Sequence, residues 1–195
     1  MARYKGPVLK RARTLGLAPQ TVGINKKSNR NPKQRSGKLS EYGLQLQEKQ
    51  KAKFVYGVLE KQFRKLYAKA EKMPGIAGEN LLQLLELRFD NVVYRMGFAK
   101  TRNEAKQLVS HGHFLVNGKK VDIPSYTIES GDVITVREKS RNNGVFKYTE
   151  DKVWNQAQWV SVDIEKLEGK VTALPQRSDI DFEINEQLIV ELYSR

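Results

Sequence analysis

The most constraining feature of the sequence is a helix–helix–hairpin pattern in residues 87–136. The helix that leads into it carries apolar side chains at helical spacing, at Leu85, Phe89, Val92 and Met96. This spacing predicts a helix with one apolar face, which Gly97 should end. A second helix should begin after Thr101, because a threonine followed three residues later by Glu104 forms a capping box. Its inward side chains would be Ala105, Leu108 and Val109.

A β-hairpin is predicted directly after the second helix. Residues 114–116 and 119–121 are short apolar or alternating runs, and Asn117-Gly118 joins them. This dipeptide suits a two-residue turn that needs positive φ at both positions. Further short strands are expected at residues 125–128 and 133–136.

Positively charged side chains decorate this unit. Several of them fall near helix ends or the hairpin turn, where they can project together, at Arg88, Arg95, Lys100, Arg102, Lys106, Lys119 and Lys120. Such an arrangement is typical of a surface that grips phosphates. A merely solvated basic face is the alternative, and the charges of this segment alone do not separate the two.

The overall charge indicates a polyanionic partner. The formal net charge is +13 and the pI is about 9.8, which suits a nucleic acid, with an anionic membrane as the competing polyanion. No long apolar run predicts a spanning helix or a signal peptide. The chain has no cysteine, so it has no disulfide and no thiolate metal site, as is compatible with a reducing cytosol.

The charge is unevenly distributed. Residues 1–40 hold eleven Lys and Arg and no acid, whereas residues 149–195 hold ten Asp and Glu against five Lys and Arg. This gradient predicts a front end that faces nucleic acid and a back end that faces another neighbour, most simply a protein. Residues 1–38 have little to bury and are predicted to be an arm that folds on binding RNA.

The flanking segments predict a helical domain. Ser40 should cap a helical stretch whose apolar side chains recur at Val55, Leu59, Phe63, Leu66 and Ala70. Asn80 should cap the helix that enters the central module, and Asn185 should cap a final helix. Residues 145–148 and 159–162 read as strands, and residues 167–175 as irregular. Both terminal helices need a partner surface, so the C-terminus is expected to return to the first helices.

The expected fold class is therefore α+β. A mainly helical domain of residues 39–85, completed by residues 163–195, would carry an inserted module of two helices and a small antiparallel sheet in residues 86–162, with residues 1–38 as the basic arm.

Chemistry for catalysis is not evident. The sequence shows no phosphate-binding glycine motif, no nucleophile elbow and no zinc-hydrolase signature. His111 and His113 are the only histidines, and a single H-x-H pair supplies too few ligands for a structural zinc site. Asp90 is expected to orient the basic face internally through Arg95 or Arg102. Trp154 and Trp159 are expected in the core. Neither a metal nor a cofactor is predicted.

The central motifs resemble a known RNA-binding module. The run from Arg88 to Phe98, then Thr101-Arg102 with Ala105, Val109 to His113, and Val116-Asn117-Gly118, resemble the module named after the fourth protein of the small ribosomal subunit. The match continues through Ile123 to Tyr126 and Gly131-Asp132. This module also occurs on pseudouridine synthases and tyrosyl-tRNA synthetases, so it does not decide the function by itself.

The outer segments extend the resemblance to a whole family. Five runs are similar to the bacterial-type family of the fourth small-subunit ribosomal protein, at residues 1–7, 39–46, 56–63, 78–82 and 184–186. Some members bind zinc through N-terminal cysteines, but Leu9 and Ala12 stand where the first pair would fall. The chain is thus interpreted as a zinc-free member.

The resemblance implies a structural, non-enzymatic role in the small ribosomal subunit. It implies primary binding to a multi-helix junction of the small-subunit (16S) ribosomal RNA, nucleation of the subunit body, and an influence on decoding accuracy. The implied location is cytoplasmic and ribosome-bound, with an organellar ribosome left open. An RNA-modifying or tRNA-charging enzyme that carries the module as an appendage, and a free-standing RNA chaperone, are the alternatives.

The candidate contact residues follow from charge and resemblance together. In the arm, RNA contacts are expected at Arg3, Lys5, Lys10, Arg11, Arg13, Lys26, Lys27, Arg30, Lys33, Arg35 and Lys38. In the helical domain they are expected at Lys49, Lys51, Lys53 and Arg64. In the module they are expected at Arg88, Arg95, Lys100, Thr101, Arg102, Lys106, His111, His113, Asn117, Lys119 and Lys120. The resemblance also implies messenger RNA near Arg35 and Lys38, and the fifth small-subunit protein near Asp179, Asp181, Glu183 and Glu186.

Overall fold

The computed structural model describes residues 4–26, 39–147 and 157–194 of the chain. The chain divides into two compact units, one of Met1–Leu82 with Ile180–Arg195 and one of Gln83–Asp179. The second unit is inserted between two parts of the first, and the predicted α+β class is confirmed.

The first unit is helical. Its helices are α1 (Val8–Thr14), a 3₁₀ turn (Pro19–Val22), α2 (Glu41–Val55), α3 (Glu60–Ala70), the start of α4 (Ala77–Glu86), and α9 (Glu186–Tyr193). The caps at Ser40 and Asn185 are confirmed, because Ser40 Oγ accepts from the Gly43 N–H at 3.2 Å and Asn185 Oδ1 accepts from the Gln187 N–H at 3.1 Å.

Residues 4–26 pack on their own unit, so the prediction of a structureless arm is wrong for them. Ala12, Leu15 and Leu17 are buried, and the ring of Tyr4 meets Phe54 edge-on with centroids 5.5 Å apart. Burial of these few apolar side chains stabilises the packing of residues 4–26 within the first unit.

The predicted helical stretch through Leu59 is two helices. Gly57 has φ +60°, and the Val58 N–H donates to the Lys53 carbonyl at 3.0 Å, which ends α2. The predicted cap at Asn80 is also wrong. Its side-chain amide donates to the carbonyls of Ala70, Met73 and Pro74, so it closes the C-terminus of α3 and does not begin α4.

The C-terminal helix returns to the first helices, as predicted. The ring of Tyr193 stacks on Tyr67 with centroids 4.6 Å apart, and its hydroxyl donates to Glu60 Oε1 at 2.8 Å. Gln45 Nε2 donates to Glu191 Oε2 at 3.2 Å. The docking of α9 on α2 and α3 therefore combines ring stacking with polar bonds.

The second unit packs helices against one antiparallel sheet. After the end of α4 come α5 (Phe89–Arg95), α6 (Arg102–Ser110), β1 (Phe114–Val116), β2 (Lys119–Lys120), β3 (Val133–Val136), α7 (Glu138–Arg141), α8 (Gly144–Lys147), β4 (Val160–Asp163) and β5 (Glu168–Val171). The strand order is β2-β1-β3-β5-β4. Phe89, Phe98, Phe114 and Phe146 meet in its core, and Trp159 is buried there as expected.

Several predicted elements of this unit are corrected. Residues 168–171 are not irregular but form β5, which pairs with both β3 and β4, so the predicted module boundary after residue 162 falls inside β4. Residues 144–147 form α8 instead of a strand. Residues 125–128 form no strand, because only Thr127 pairs, in an isolated bridge to Arg88. That bridge separates α4 from α5, where one continuous apolar face was expected.

Candidate nucleic-acid interface

Two capped helix starts fix the frame of the interface. Arg88, just before α5, is extended with ψ 137°, and the N–H groups of Phe89 and Asp90 donate to the carbonyls of Tyr126 and Pro124 at 2.9 and 3.1 Å. At α6, Thr101 Oγ1 accepts from the Glu104 N–H at 3.2 Å, and the Glu104 carboxylate accepts from the Lys100 N–H at 2.7 Å. The predicted capping box is confirmed, with its return bond one residue earlier than expected.

Arg88 and Arg95 were expected to project from the surface, but the structure buries both. They are 5% and 3% exposed. Arg88 pairs with Asp90 through two hydrogen bonds of 3.1 and 2.8 Å, and Arg95 pairs with Glu86 through two of 2.9 and 2.8 Å. Buried charges persist only when paired in this way, so both arginines belong to the frame beneath the surface.

Arg102 is held by an amide instead of by Asp90, which was the expected orienter. Its Nε donates to Asn91 Oδ1 at 2.8 Å, and its guanidinium carbon lies 4.4 Å from the centroid of the Tyr94 ring. Asn91 Nδ2 in turn donates to the Glu86 carbonyl and to Glu86 Oε2 at 3.0 and 2.7 Å. The half-buried Arg102 thus rests on a buried polar network.

A second cluster forms around Gly112, between α6 and β1. A Cβ placed at Gly112 would lie 2.5 Å from Lys120 Cε, so the Lys120 side chain passes directly over this glycine. Arg137 Nη1 donates to the Gly112 carbonyl at 3.1 Å. Arg137 was not among the predicted contact residues, and the basic run at residues 137–141 is the signal that identifies it.

The two histidines differ. His113 Nδ1 lies 2.9 Å from Ser140 Oγ. Burial lowers the pKa of His113, and the neighbouring His111 and Arg137 lower it further, which favours the neutral ring. His111 is exposed. Among the described residues no cluster of three or more His, Cys, Asp or Glu could hold a metal ion.

The hairpin turn has the predicted backbone form. Asn117 and Gly118 have φ of +48° and +77°. The Asn117 amide is engaged internally, because it donates to Asp132 Oδ1 at 2.8 Å and accepts from the Val133 N–H at 2.9 Å. Its role is therefore to fix the loop that carries Lys119 and Lys120.

Five predicted cationic contacts of the second unit reach its surface. Lys100, Lys119 and Lys120 are exposed, whereas Arg102 and Lys106 are half-buried. Burial lowers the pKa of Lys106, the Asp90 carboxylate opposes that shift, and Arg88 reinforces it. Lys139 and Arg141, which were not predicted, are exposed on α7.

The cations of the first unit are less uniformly available. Lys5, Lys10 and Lys26 are exposed, and Arg11 and Arg13 are half-buried. Glu60 binds both Lys49 and Lys53, at 3.0 and 2.6 Å, and Glu48 binds Lys51 at 2.6 Å. Arg64 is exposed and lines an open groove on α3 with Lys61 and Lys65. Arg3, Lys27, Arg30, Lys33, Arg35 and Lys38 lie outside the described residues.

The predicted acidic residues lie near the C-terminus. Asp179 accepts from the Gln176 N–H at 2.7 Å and is half-buried. Asp181 and Glu183 are exposed, and Glu186 begins α9, where its side chain packs on Gly78. Within the part of the chain that the structure describes, no helix is both long and apolar enough to span a bilayer.

Known proteins similar to this chain are ribosomal. A family model described as "Ribosomal protein S4/S9 N-terminal domain" matches residues 3–86, and one described as "S4 domain" matches residues 87–134. "Small ribosomal subunit protein uS4" of Lachnospira eligens is 53% identical over 197 residues that cover all of both chains. The protein of the same name from Lachnoclostridium phytofermentans is 54% identical over 200 residues, again covering both chains. "Small ribosomal subunit protein uS4A" of Alkaliphilus oremlandii is 64% identical over 159 residues, or 81% of this chain and 77% of that relative.

Proposed function

Because the chain belongs to the uS4 family of small-subunit ribosomal proteins, we propose that it binds 16S ribosomal RNA through the basic face of its second unit. The chain is a structural constituent of the small ribosomal subunit and not an enzyme. Relatives that match over their full length favour this function over an RNA-modifying or tRNA-charging enzyme and over a free-standing RNA chaperone.

The observation that carries the proposal is the pairing of surface cations with a rigid polar frame. Lys100, Lys119 and Lys120 are exposed, while Arg88 and Arg95 are locked in buried ion pairs at the two ends of α5 in the same unit. Exposed cations bind phosphates by releasing counterions. A rigid frame adds a fixed spacing, which selects folded RNA by shape because the deep groove of an A-form helix hides its bases.

Charge reversal on the hairpin tests this interface. The double variant Lys119→Glu with Lys120→Glu should lower affinity for 16S ribosomal RNA by more than about tenfold at ~0.1 M salt. The slope of log affinity against log salt should also become shallower, by the amount expected for the loss of about two phosphate contacts. The matched control is Lys166→Glu with Lys170→Glu, which makes the same charge change at two exposed positions of the same unit, one just before β5 and one within it. Equal losses in both variants would contradict a localised interface.

We further propose that this early contact nucleates assembly of the subunit body. Binding that needs only the protein and folded RNA does not depend on later proteins, so it can precede them. Order-of-addition reconstitution tests this: omission of the protein should reduce the later incorporation of several body proteins. Normal incorporation without it would contradict the proposal.

The acidic end is proposed to face the fifth small-subunit protein and to influence decoding accuracy. Asp181 and Glu183 are exposed, and RNA would repel them, so a basic protein surface is the better neighbour. Asp179→Lys with Asp181→Lys should leave RNA affinity unchanged within about threefold, since neither residue adjoins the basic face in sequence. It should alter miscoding in a dual-luciferase assay in cells that carry only the variant. Unchanged accuracy would leave the segment a structural tail.

Contact with messenger RNA is proposed for Arg35 and Lys38 on the family resemblance alone. A photo-reactive residue at either position should crosslink to messenger in translating ribosomes. Crosslinks to 16S ribosomal RNA only would contradict it.

A further inference from the structure

We infer that Asn91 is the positioning residue for Arg102, which it holds in the orientation that grips a phosphate of the RNA. This inference rests on the proposed function, because it assigns a partner to one residue of that interface. Asn91 is itself 2% exposed, so it acts only through Arg102.

Hydrogen bonding leaves the Asn91 amide one orientation. Its Nδ2 group has two N–H donors, and both point at Glu86, toward the backbone carbonyl at 3.0 Å and Oε2 at 2.7 Å. Its Oδ1 therefore faces the Nε–H of Arg102, which donates to it at 2.8 Å. A flipped amide would set oxygen against oxygen at Glu86 and N–H against N–H at Arg102.

Glu86 cannot move to relax this arrangement. It is fully buried, and its carboxylate accepts two parallel hydrogen bonds from Arg95 at 2.9 and 2.8 Å. Bidentate arginine–carboxylate pairs of this kind fix both partners geometrically. The order of support is thus Arg95 to Glu86, Glu86 to Asn91, and Asn91 to Arg102.

Tyr94 fixes the remaining freedom of the guanidinium. The group lies over the ring at 4.4 Å from its centroid, a distance that suits cation–π attraction. The Asn91 contact then sets the direction of its Nε edge. The amide of Asn91 is neutral, so Arg102 keeps its net positive charge. The carboxylates of Asp90 and Glu86, by contrast, neutralise the charges of Arg88 and Arg95.

An arginine ordered in advance binds an oxyanion at lower cost. Holding a long side chain still on binding costs free energy, and this network removes that cost before RNA arrives. Because Nε bonds to Asn91 and Nη2 is buried, the fixed planar group would meet a phosphate oxygen through its Nη1 edge in one orientation. Exposed lysines on the hairpin supply charge to the same unit, and Arg102 would supply a contact of fixed orientation.

The first test observes the orientation without RNA. In the full chain labelled at arginine side chains, the Arg102 Nε–H signal should exchange slowly with solvent. Asn91→Leu should accelerate that exchange by about tenfold, which corresponds to the loss of one hydrogen bond of about 1.4 kcal/mol. Asn91→Leu also removes two hydrogen-bond donors from Glu86, which should lower stability. Val109→Ala therefore serves as the control for a general loss of stability. Val109 is fully buried in α6 and is not bonded to the network.

The second test is a double-variant cycle on affinity for 16S ribosomal RNA, at a temperature where circular dichroism shows every variant folded. Arg102→Met should lower affinity by more than about tenfold, and Asn91→Leu by about threefold to tenfold. In the Arg102→Met background, Asn91→Leu should add no further loss. Tyr94→Leu, which keeps the Asn91–Glu86 bonds, should couple to Arg102 in the same way, and Val109→Ala should not.

The outcomes separate the inference from the proposed function. Equal losses from Asn91→Leu with and without Arg102, or unaltered exchange of the Arg102 Nε–H, would overturn the positioning role even if the unmodified protein binds 16S ribosomal RNA selectively. Failure of the unmodified protein to prefer 16S ribosomal RNA over an unstructured RNA would overturn the proposed function, and the inference with it.

Discussion

At the scale of single residues, Glu60 carries three hydrogen bonds on one carboxylate, from Lys49, Lys53 and Tyr193. Burial raises the pKa of Glu60, but these bonds outweigh it and lower the pKa to about 2, from an ordinary value of 4.5. The carboxylate thereby joins α2, α3 and α9. Lys49 and Lys53, which were expected to contact RNA, therefore bind Glu60 within the protein.

Replacement of Glu60 by Gln should destabilise the chain by about 1 kcal/mol at pH 7, a figure reduced by the partial exposure of the carboxylate. The folded pKa lies below the unfolded one, so this contribution is present above pH 4.5 and is lost as the pH falls toward 2. Urea unfolding of both proteins at several pH values measures it. Glu71→Gln, at the exposed C-terminus of α3, should cause no such loss. A difference that does not shrink in acid would contradict the role of charge.

The residue scale is also where sequence reasoning was least sufficient. Arg95 and Arg102 look alike in the sequence, yet one is buried on Glu86 and the other rests on Asn91. The difference depends on the break between α4 and α5, which brings Glu86 beside Arg95 and Asn91. Asn91 and Arg95 lie one helical turn apart, and that spacing was the available signal of a shared face.

At the scale of elements, the Gly112 junction couples α6 to the hairpin. Gly112 has φ +70° and carries the Lys120 side chain across it, while its carbonyl accepts from Arg137. A turn residue therefore sets where a hairpin cation lies.

Gly112→Ala should lower stability by about 1–2 kcal/mol through backbone strain and should weaken 16S ribosomal RNA binding by displacing Lys120. Gly118→Ala is the matched control, because Gly118 has φ +77° and nothing within 4 Å of an added Cβ. It should cost similar stability and leave affinity unchanged. Unfolding midpoints measure the stability of each variant, and filter binding measures its affinity for 16S ribosomal RNA. If the two variants bind the RNA with equal affinity, the position of Lys120 does not matter for binding.

Three helix caps with local signals were predicted correctly, whereas a strand held by distant partners was not. Ser40, Thr101 and Asn185 were identified as caps because a cap acts within three residues of itself. The strand β5 contains Glu168-Gly169-Lys170, which has no apolar alternation. It is a strand because β3 and β4 pair with it on both sides.

At the scale of the whole molecule, charge and family resemblance agreed on function before any contact was known. The net charge of +13 indicated a polyanion, and the spacing of motifs indicated which one. Charge counting could not show how much of that charge is used internally, at Arg88, Arg95, Lys49, Lys51 and Lys53. The cations that reach the surface are fewer than the sequence suggests, so their placement matters more.

The central claim is that fixed surface cations select folded 16S ribosomal RNA by shape. The most direct test is the affinity of the full chain for 16S ribosomal RNA and for an unstructured RNA of equal length, measured across a salt series from about 50 to 200 mM. The account predicts that both affinities fall with salt and that the preference for 16S ribosomal RNA persists at the highest salt, because the unstructured RNA cannot match the fixed spacing. Equal affinity for the two RNAs throughout the series would contradict it.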